Sequence, residues 1–288
     1  MSQLTPELEK RLTVAVDRMP AFPRSVQMVL EMTRNINCLP KQLVGVIEKD
    51  PVMTMKILKV INSAYYSLPN KITSVNQSVV YLGINTIKNL ALSCAAVGIL
   101  PRVNTAGFDI QRYLVHSLTT ATVARLLCTT YGKGESDPGD CYVAGLLHDF
   151  GKVVFAQFMA PEFREALALG DAGTMPLYEA ERKIIGVDHG VAGAMLAKRW
   201  QFPEQLVQVI RDHHKVDAEP SVMLNCLQVA DQICRVVDRP PEERQLAWQS
   251  QIPAAPGFGD SLPAVVTGLG DFDKIVAEAT LFVQVDKH

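Results

Sequence analysis

The chain has 288 residues, with 28 Lys+Arg against 30 Asp+Glu and a formal net charge of −2. Apolar residues make up 48% and charged residues 20%, which excludes a disordered or collagen-like chain. The length suits about two domains of ~150 residues, and the near-zero charge argues against a generic nucleic-acid binder. No run reaches the ~18 consecutive apolar residues of a membrane-spanning helix. Met1–Glu9 has no basic stretch followed by an apolar one, so no leader peptide is read. The six cysteines (Cys38, Cys94, Cys128, Cys141, Cys226 and Cys234) form no Cys-x-x-Cys pair and sit mostly among apolar residues. They read as buried free thiols of a reducing cytoplasm.

The pattern along the chain is helical nearly throughout, with weak strand-like alternation only near Lys71 to Val75. Thr5 caps a first helix, Pro6 takes its first position, and Pro20 and Pro23 end it near Met19. Val26, Val29, Leu30 and Thr33 fall on one face of a second helix. Pro40 starts a helix through Glu48, and Asp50-Pro51 caps another to about Ser63. Ser74–Leu82 and Ile84–Leu100 flank Gly83. A turn-rich loop, Pro101–Gly107, separates the halves. Asp109 then caps a long helix to about Tyr131, and Asp140 starts an apolar helix that ends near Gly151. Pro161–Leu169, Leu177–Ile185, Val191–Arg199, Pro203–His213 and Ser221–Val237 continue the pattern. Arg239–Asp271 is rich in Pro and Gly, and Phe272–Val285 is a final helix.

Five of the six histidines fall between His116 and His214: His116, His148, His189, His213 and His214. The sixth, His288, is terminal and reads as solvated. His148-Asp149 follows the apolar run Val143–Leu147, and Asp231 lies inside another apolar helix. A carboxylate there is costly unless it is paired or binds a metal. Neutral imidazoles with carboxylates suit divalent iron, manganese, zinc or nickel. A carboxylate beside a histidine can bridge two ions about 3.5–4 Å apart. A lone buried histidine is an ordinary core residue, but five with two aspartates point to a metal site. Glu179 and Glu181 precede His189 and either reach that site or are exposed helix carboxylates. Lys56, Lys59, Lys71 and Lys88 mark either a basic face for an anion or a merely solvated one. Trp200 reads as packing at a helix end.

Leu147-His148-Asp149-Phe150-Gly151-Lys152 resembles the His-Asp-x-Gly-Lys signature of the HD superfamily, a group of all-helical metal-dependent phosphohydrolases. Gly186-Val187-Asp188-His189-Gly190, then Leu196 to Trp200, Pro203 and His213-His214, resemble more specifically an HDOD domain. Met19-Pro20 with Pro23, Asp50-Pro51, Asn62-Ser63-Ala64-Tyr65-Tyr66 and Leu82-Gly83 agree with that pattern, which covers about Arg18 to Pro240. The resemblance implies an all-α protein in which an N-terminal HDOD-specific helical lobe (1–106) packs on an HD-domain-like metal-binding lobe (107–240), with 241–288 as an extension.

It also implies His116, His148, Asp149 and Asp231 as ligands of a first ion, and His189 with His213 or His214 for a second, with Asp149 bridging. Lys152 would face a phosphate, so any catalysis is expected of Asp149 and Lys152; a plain helix-end cation is the other reading of Lys152. The expected cofactor is a divalent metal, one or two ions, iron or manganese ahead of zinc, nickel or magnesium. The expected role is that of a cytoplasmic bacterial signal-transduction protein. Its partner would be a regulatory protein or a phosphorylated small ligand, with no membrane and no nucleic acid, and its oligomeric state is left open. The alternative is a metal-dependent phosphohydrolase or phosphodiesterase acting on a nucleotide or cyclic dinucleotide. Related cyclic-di-GMP phosphodiesterases carry Gly-Tyr-Pro after the paired histidines. Here Lys215-Val216-Asp217-Ala218-Glu219-Pro220 follows, which speaks against that substrate.

Overall fold

Side-chain caps start the helices close to where the sequence places them. In the computed structural model, Thr5 accepts from the Leu8 amide, Asp50 from Met53, and Asp109 from Gln111 and Arg112. The structure describes residues 4–34, 39–63, 66, 68, 70–101, 103–215, 217–237 and 262–285. Cys38, Ala64, Tyr65, His288, the lobe end at 238–240 and residues 241–261 of the expected extension lie outside them. In chain order the helices are α1 (Pro6–Arg18), α2 (Arg24–Arg34), α3 (Pro40–Glu48), α4 (Pro51–Ile61), α5 (Val75–Leu82), α6 (Ile84–Gly98) and α7 (Ile110–Tyr131). Then come α8 (Pro138–Leu147), α9 (Phe150–Phe158), α10 (Ala160–Asp171), α11 (Leu177–Ile184), α12 (His189–Arg199), α13 (Glu204–Asp212) and α14 (Val222–Val237). Two more follow, Leu262–Gly268 and Phe272–Val285. Among the described residues no strand forms, and Val75 opens a helix instead. None of the described helices is long and apolar enough to cross a membrane.

Contacts divide the chain into two units, Met1–Pro20 with Leu100–Leu269, and Ala21–Ile99 with Gly270–His288. This cuts the chain differently from lobes at 1–106, 107–240 and 241–288. The physical reason is long-range anchoring. Leu12 of α1 is fully buried in a cluster with Phe155, Phe163 and Ala192. The Arg199 guanidinium donates to the carbonyls of Met19 and Asp17, both at 2.9 Å, and the Trp200 indole to Pro20 at 3.1 Å. Trp200 thus packs at a helix end, as the sequence suggests.

In the other unit, α2 to α6 pack together with the helix Phe272–Val285, which lies on α4 and α6. Asn62 both caps α4 and ties it to the following loop. Its amide donates to Leu58 and Ile72 carbonyls, and its oxygen accepts from the Ile72 amide at 2.7 Å. Lys88 is buried while Lys59 and Lys71 are exposed, so the four lysines share no solvated face.

In the unit that carries the histidines, α7, α8 and α14 pack against one another. Gly145 permits a close crossing of α8 on α7: a Cβ there would stand 2.5 Å from the Ala121 Cα. The sequence reading runs one helix from Asp140 to about Gly151. The structure instead caps α8 with Asp137, ends it at Leu147, and starts α9 at Phe150. Gly151 is not a stop. A Cβ there would lie 1.9 Å from the His189 carbonyl oxygen, so glycine lets α9 lie directly on the start of α12.

Candidate metal centre

The break between α8 and α9 creates the site. His148 caps α8 with its amide on the Ala144 carbonyl, and Asp149 turns the chain at φ −95°, ψ 4°. Both side chains are therefore pinned by backbone geometry in the interior, at 0% and 1% exposure. His116 comes from the middle of α7 and Asp231 from α14. His189 is the first residue of α12, whose cap Asp188 is held by Arg182. His213 and His214 follow α13. The structure brings every one of the seven proposed ligands to one place.

They form two groups. His116, His148 and Asp231 offer donor atoms within 4.8 Å of one another, and so do Asp149, His189, His213 and His214. Asp149 presents one oxygen to each side. Its Oδ2 lies 3.4 Å from His148 Nε2, 3.8 Å from His116 Nε2 and 2.5 Å from Lys152 Nζ. Its Oδ1 lies 2.9 Å from His189 Nε2 and 3.8 Å from His213 Nε2. Asp231 Oδ1 stands 3.1 Å from His116 Nε2 and 3.7 Å from His148 Nε2.

The other ring nitrogens decide what these contacts are. Nδ1 of His148 lies 2.8 Å from the Gly145 carbonyl and that of His213 2.6 Å from the Ile210 carbonyl, so both must donate there. His189 Nδ1 lies 2.6 Å from Glu181 Oε2 and donates to it. In the neutral tautomers all three Nε2 atoms then carry lone pairs, aimed at carboxylate oxygens. His148 Nε2, His213 Nε2 and Asp149 Oδ1 are buried and lack any hydrogen-bond partner. Buried acceptors facing acceptors are costly, and a cation among them removes the cost. Oriented Nδ1–H groups are also the usual support of metal-bound imidazole. By donor type, burial and tautomer, the residues fit a divalent ion.

Protonation is the route open to the histidines without an ion. Burial lowers His148, but Asp149 and Asp231 outweigh it and raise it to about 9. His189 is likewise raised, Glu181 and Asp149 overcoming its burial. His213 and His214 go the other way, held down by burial and by neighbouring imidazoles. Burial pushes Asp149 and Asp231 up, yet the cations around them keep both well below the usual carboxylate range.

Three of the surrounding groups lie outside the proposed ligand set. Glu181, left open between site and surface, is fully buried and orients His189. Arg235 binds Asp231 through both oxygens, Nε at 2.9 Å and Nη2 at 2.8 Å, from the i+4 position of α14. That spacing was available in the sequence. Tyr178 stacks on His214 with ring centroids 4.4 Å apart. A cavity of about 540 Å³ opens beside the site, bounded by His116, Asp149 and Lys152. Arg112, Arg164 and Arg235 supply further cations to its wall, and Phe108, Leu167 and Leu177 an apolar side.

Known proteins of this architecture carry related names. A candidate phosphohydrolase of Shewanella amazonensis is 25% identical, with a TM-score of 0.75 over 95% of this chain and 98% of its own. An HDOD domain protein of unknown function from Geobacter sulfurreducens is 26% identical, with a TM-score of 0.76 over 94% and 98%. An uncharacterised protein of Treponema pallidum is 24% identical over 217 residues, 75% of this chain. The chain spans about two-fifths of that curated relative, 41% of its length. With the HDOD domain pattern matched over residues 19–216, well over half of the sequence, the chain belongs to the HDOD domain family.

Proposed function

We propose that the chain is a signal-transduction protein whose HD-type site holds one or two divalent ions, iron or manganese before zinc, nickel or magnesium. The observation that carries this reading is the two-sided Asp149. One carboxylate faces two histidine groups, and its own Oδ1 and the Nε2 atoms of His148 and His213 are buried without a hydrogen-bond partner. His116, His148, Asp149 and Asp231 would hold the first ion, and Asp149, His189, His213 and His214 the second. Ligand or metal state would then set contact with a regulatory protein partner. Metal analysis of tag-free protein tests the reading. One to two ions per chain, lost in Asp149→Ala, are expected; less than about 0.2 ion per chain, with no effect of chelation, overturns it.

A second reading is favoured by the cavity at Asp149. Its wall combines Arg112, Lys152, Arg164 and Arg235, which suits a phosphorylated small ligand. Bound ions would supply a Lewis acid and an activated water there. Lys152, on Asp149 at 2.5 Å, would neutralise charge on the phosphoryl oxygens. On this reading the chain is a phosphohydrolase or phosphodiesterase of a nucleotide. A screen of phosphate esters with added Mn²⁺ or Fe²⁺ separates the two. Turnover abolished by Asp149→Ala marks an enzyme, whereas a filled site without turnover leaves the regulatory protein.

A further inference from the structure

A second cluster of donor atoms lies elsewhere on the same helices. Cys128 of α7, Cys141 of α8 and Cys226 of α14 are 3%, 0% and 0% exposed. Their sulfurs all lie within 4.8 Å of one another. All three are free thiols. No His, Asp or Glu among the described residues joins the group. Free cysteines often fill cores as small apolar residues, so burial alone says little. Three from three helices meeting at one point, with only sulfur in the set, is a more specific arrangement.

The Cys128 thiol donates to the Ser136 carbonyl at 3.4 Å, a contact that fixes its side chain and that it gives up on losing its proton. A cavity of about 300 Å³ lined by Tyr131, Lys133, Glu135 and Asn225 reaches Cys226. Ligand identity, orientation and access are the checkable properties of a metal site.

We propose that Cys128, Cys141 and Cys226 form a site for a soft ion satisfied by three sulfurs, of the cuprous class. Thiolates select monovalent copper and zinc over hard divalent ions. A zinc site of this kind wants a fourth ligand, and the cluster offers no fourth side-chain donor among the described residues. Each coordinating thiol loses its proton to solvent, and the ion is neither oxidised nor reduced. Apparent affinity therefore rises with pH. The site shares no ligand with the His/Asp centre and does not rest on that reading.

The test is an anaerobic titration of the reduced, tag-free full chain with cuprous ion against a competing cuprous chelator. One copper per chain is expected to be retained, with three sulfur and no nitrogen neighbours in X-ray absorption. Asp149→Ala, Cys94→Ser and Cys234→Ser should retain it. Cys128→Ser, Cys141→Ser and Cys226→Ser should each bind at least ~100-fold more weakly, because a three-donor site has lost one donor. Failure of the unmodified chain to hold copper, or nitrogen neighbours around it, overturns the proposal without need of any variant. So does equal retention by the three serine variants, or zinc held in preference with a light-atom fourth neighbour.

Discussion

On the Oδ2 side of Asp149 protein cations already balance the carboxylates, with Lys152 on Asp149 and Arg235 across both oxygens of Asp231. The Oδ1 side is made of imidazoles instead. His189 Nε2 is 2.9 Å from both Asp149 Oδ1 and His214 Nε2, and His213 Nε2 has no partner. Glu181 behind His189, the Ile210 carbonyl on His213 and the Tyr178 ring on His214 support this side. The comparison teaches that the two groups differ in how far protein cations alone balance their charge. The first can stand as a salt-bridged cluster, at the usual desolvation cost of buried pairs. The second gathers three imidazoles on one carboxylate oxygen, and on the proposed reading would depend on a cation more steeply.

Gly151→Ala should break both sides at once. Its Cβ would meet the His189 carbonyl at 1.9 Å, so α9 and α12 must part. We expect a loss of at least about 3 kcal/mol in denaturant unfolding and loss of all bound metal. A loss under about 1 kcal/mol would mean that the two helices do not approach this closely. His213→Ala should sharpen the contrast with His116→Ala. The first should remove the ion of the Oδ1 side and leave the other, as counted by metal analysis. The second should do the reverse, with a smaller loss of stability because Lys152 and Arg235 still compensate Asp149 and Asp231.

Glu181→Gln is a milder probe of the Oδ1 side. The amide oxygen still accepts from His189 Nδ1 but carries no charge, so affinity there should fall about 10–100-fold. Metal titration should show the Oδ2 side unchanged; equal weakening of both would remove the distinction. The smallest effect lies away from both sides, at Arg11 and Glu162, 2.5 Å apart. The hydrogen bond from Arg11 lowers the Glu162 carboxyl. Its contribution is therefore full above the ordinary Glu pKa and is lost as pH falls through the lowered folded value. The pair is well exposed, so Arg11→Ala should cost at most about 0.5 kcal/mol at neutral pH and nothing in strong acid.

The grouping of His116, His148, Asp149, His189 and Asp231 was legible only through the resemblance of short motifs to the family pattern, since helical spacing alone does not bring them together. The α8–α9 break was not, because Gly151 carries the same letter whether it ends a helix or admits a neighbour. What decides is the His189 carbonyl, 38 residues away. Glu181 was left open because an amphipathic helix with Glu179, Arg182 and Lys183 gives no hint of which carboxylate turns inward. The anchoring of α1 was hidden for a similar reason, since Arg199 and Trp200 reach it across about 180 residues. The cysteine trio lies at positions with no sequence spacing in common, and only the packing of three helices joins them.

Those three helices carry donor groups at two levels. Along α8, Cys141 precedes His148 by one heptad, about 10 Å of rise, and along α14 Cys226 precedes Asp231 by about 7.5 Å. Helices are stiff over such lengths, and Gly145 locks α8 on α7 between the levels. A change in spacing among the rods at one level would be felt at the other. If ions filled both proposed sites, any coupling would be reciprocal by thermodynamic linkage: the factor that the sulfurs imposed on the histidines would be the factor returned to the sulfurs.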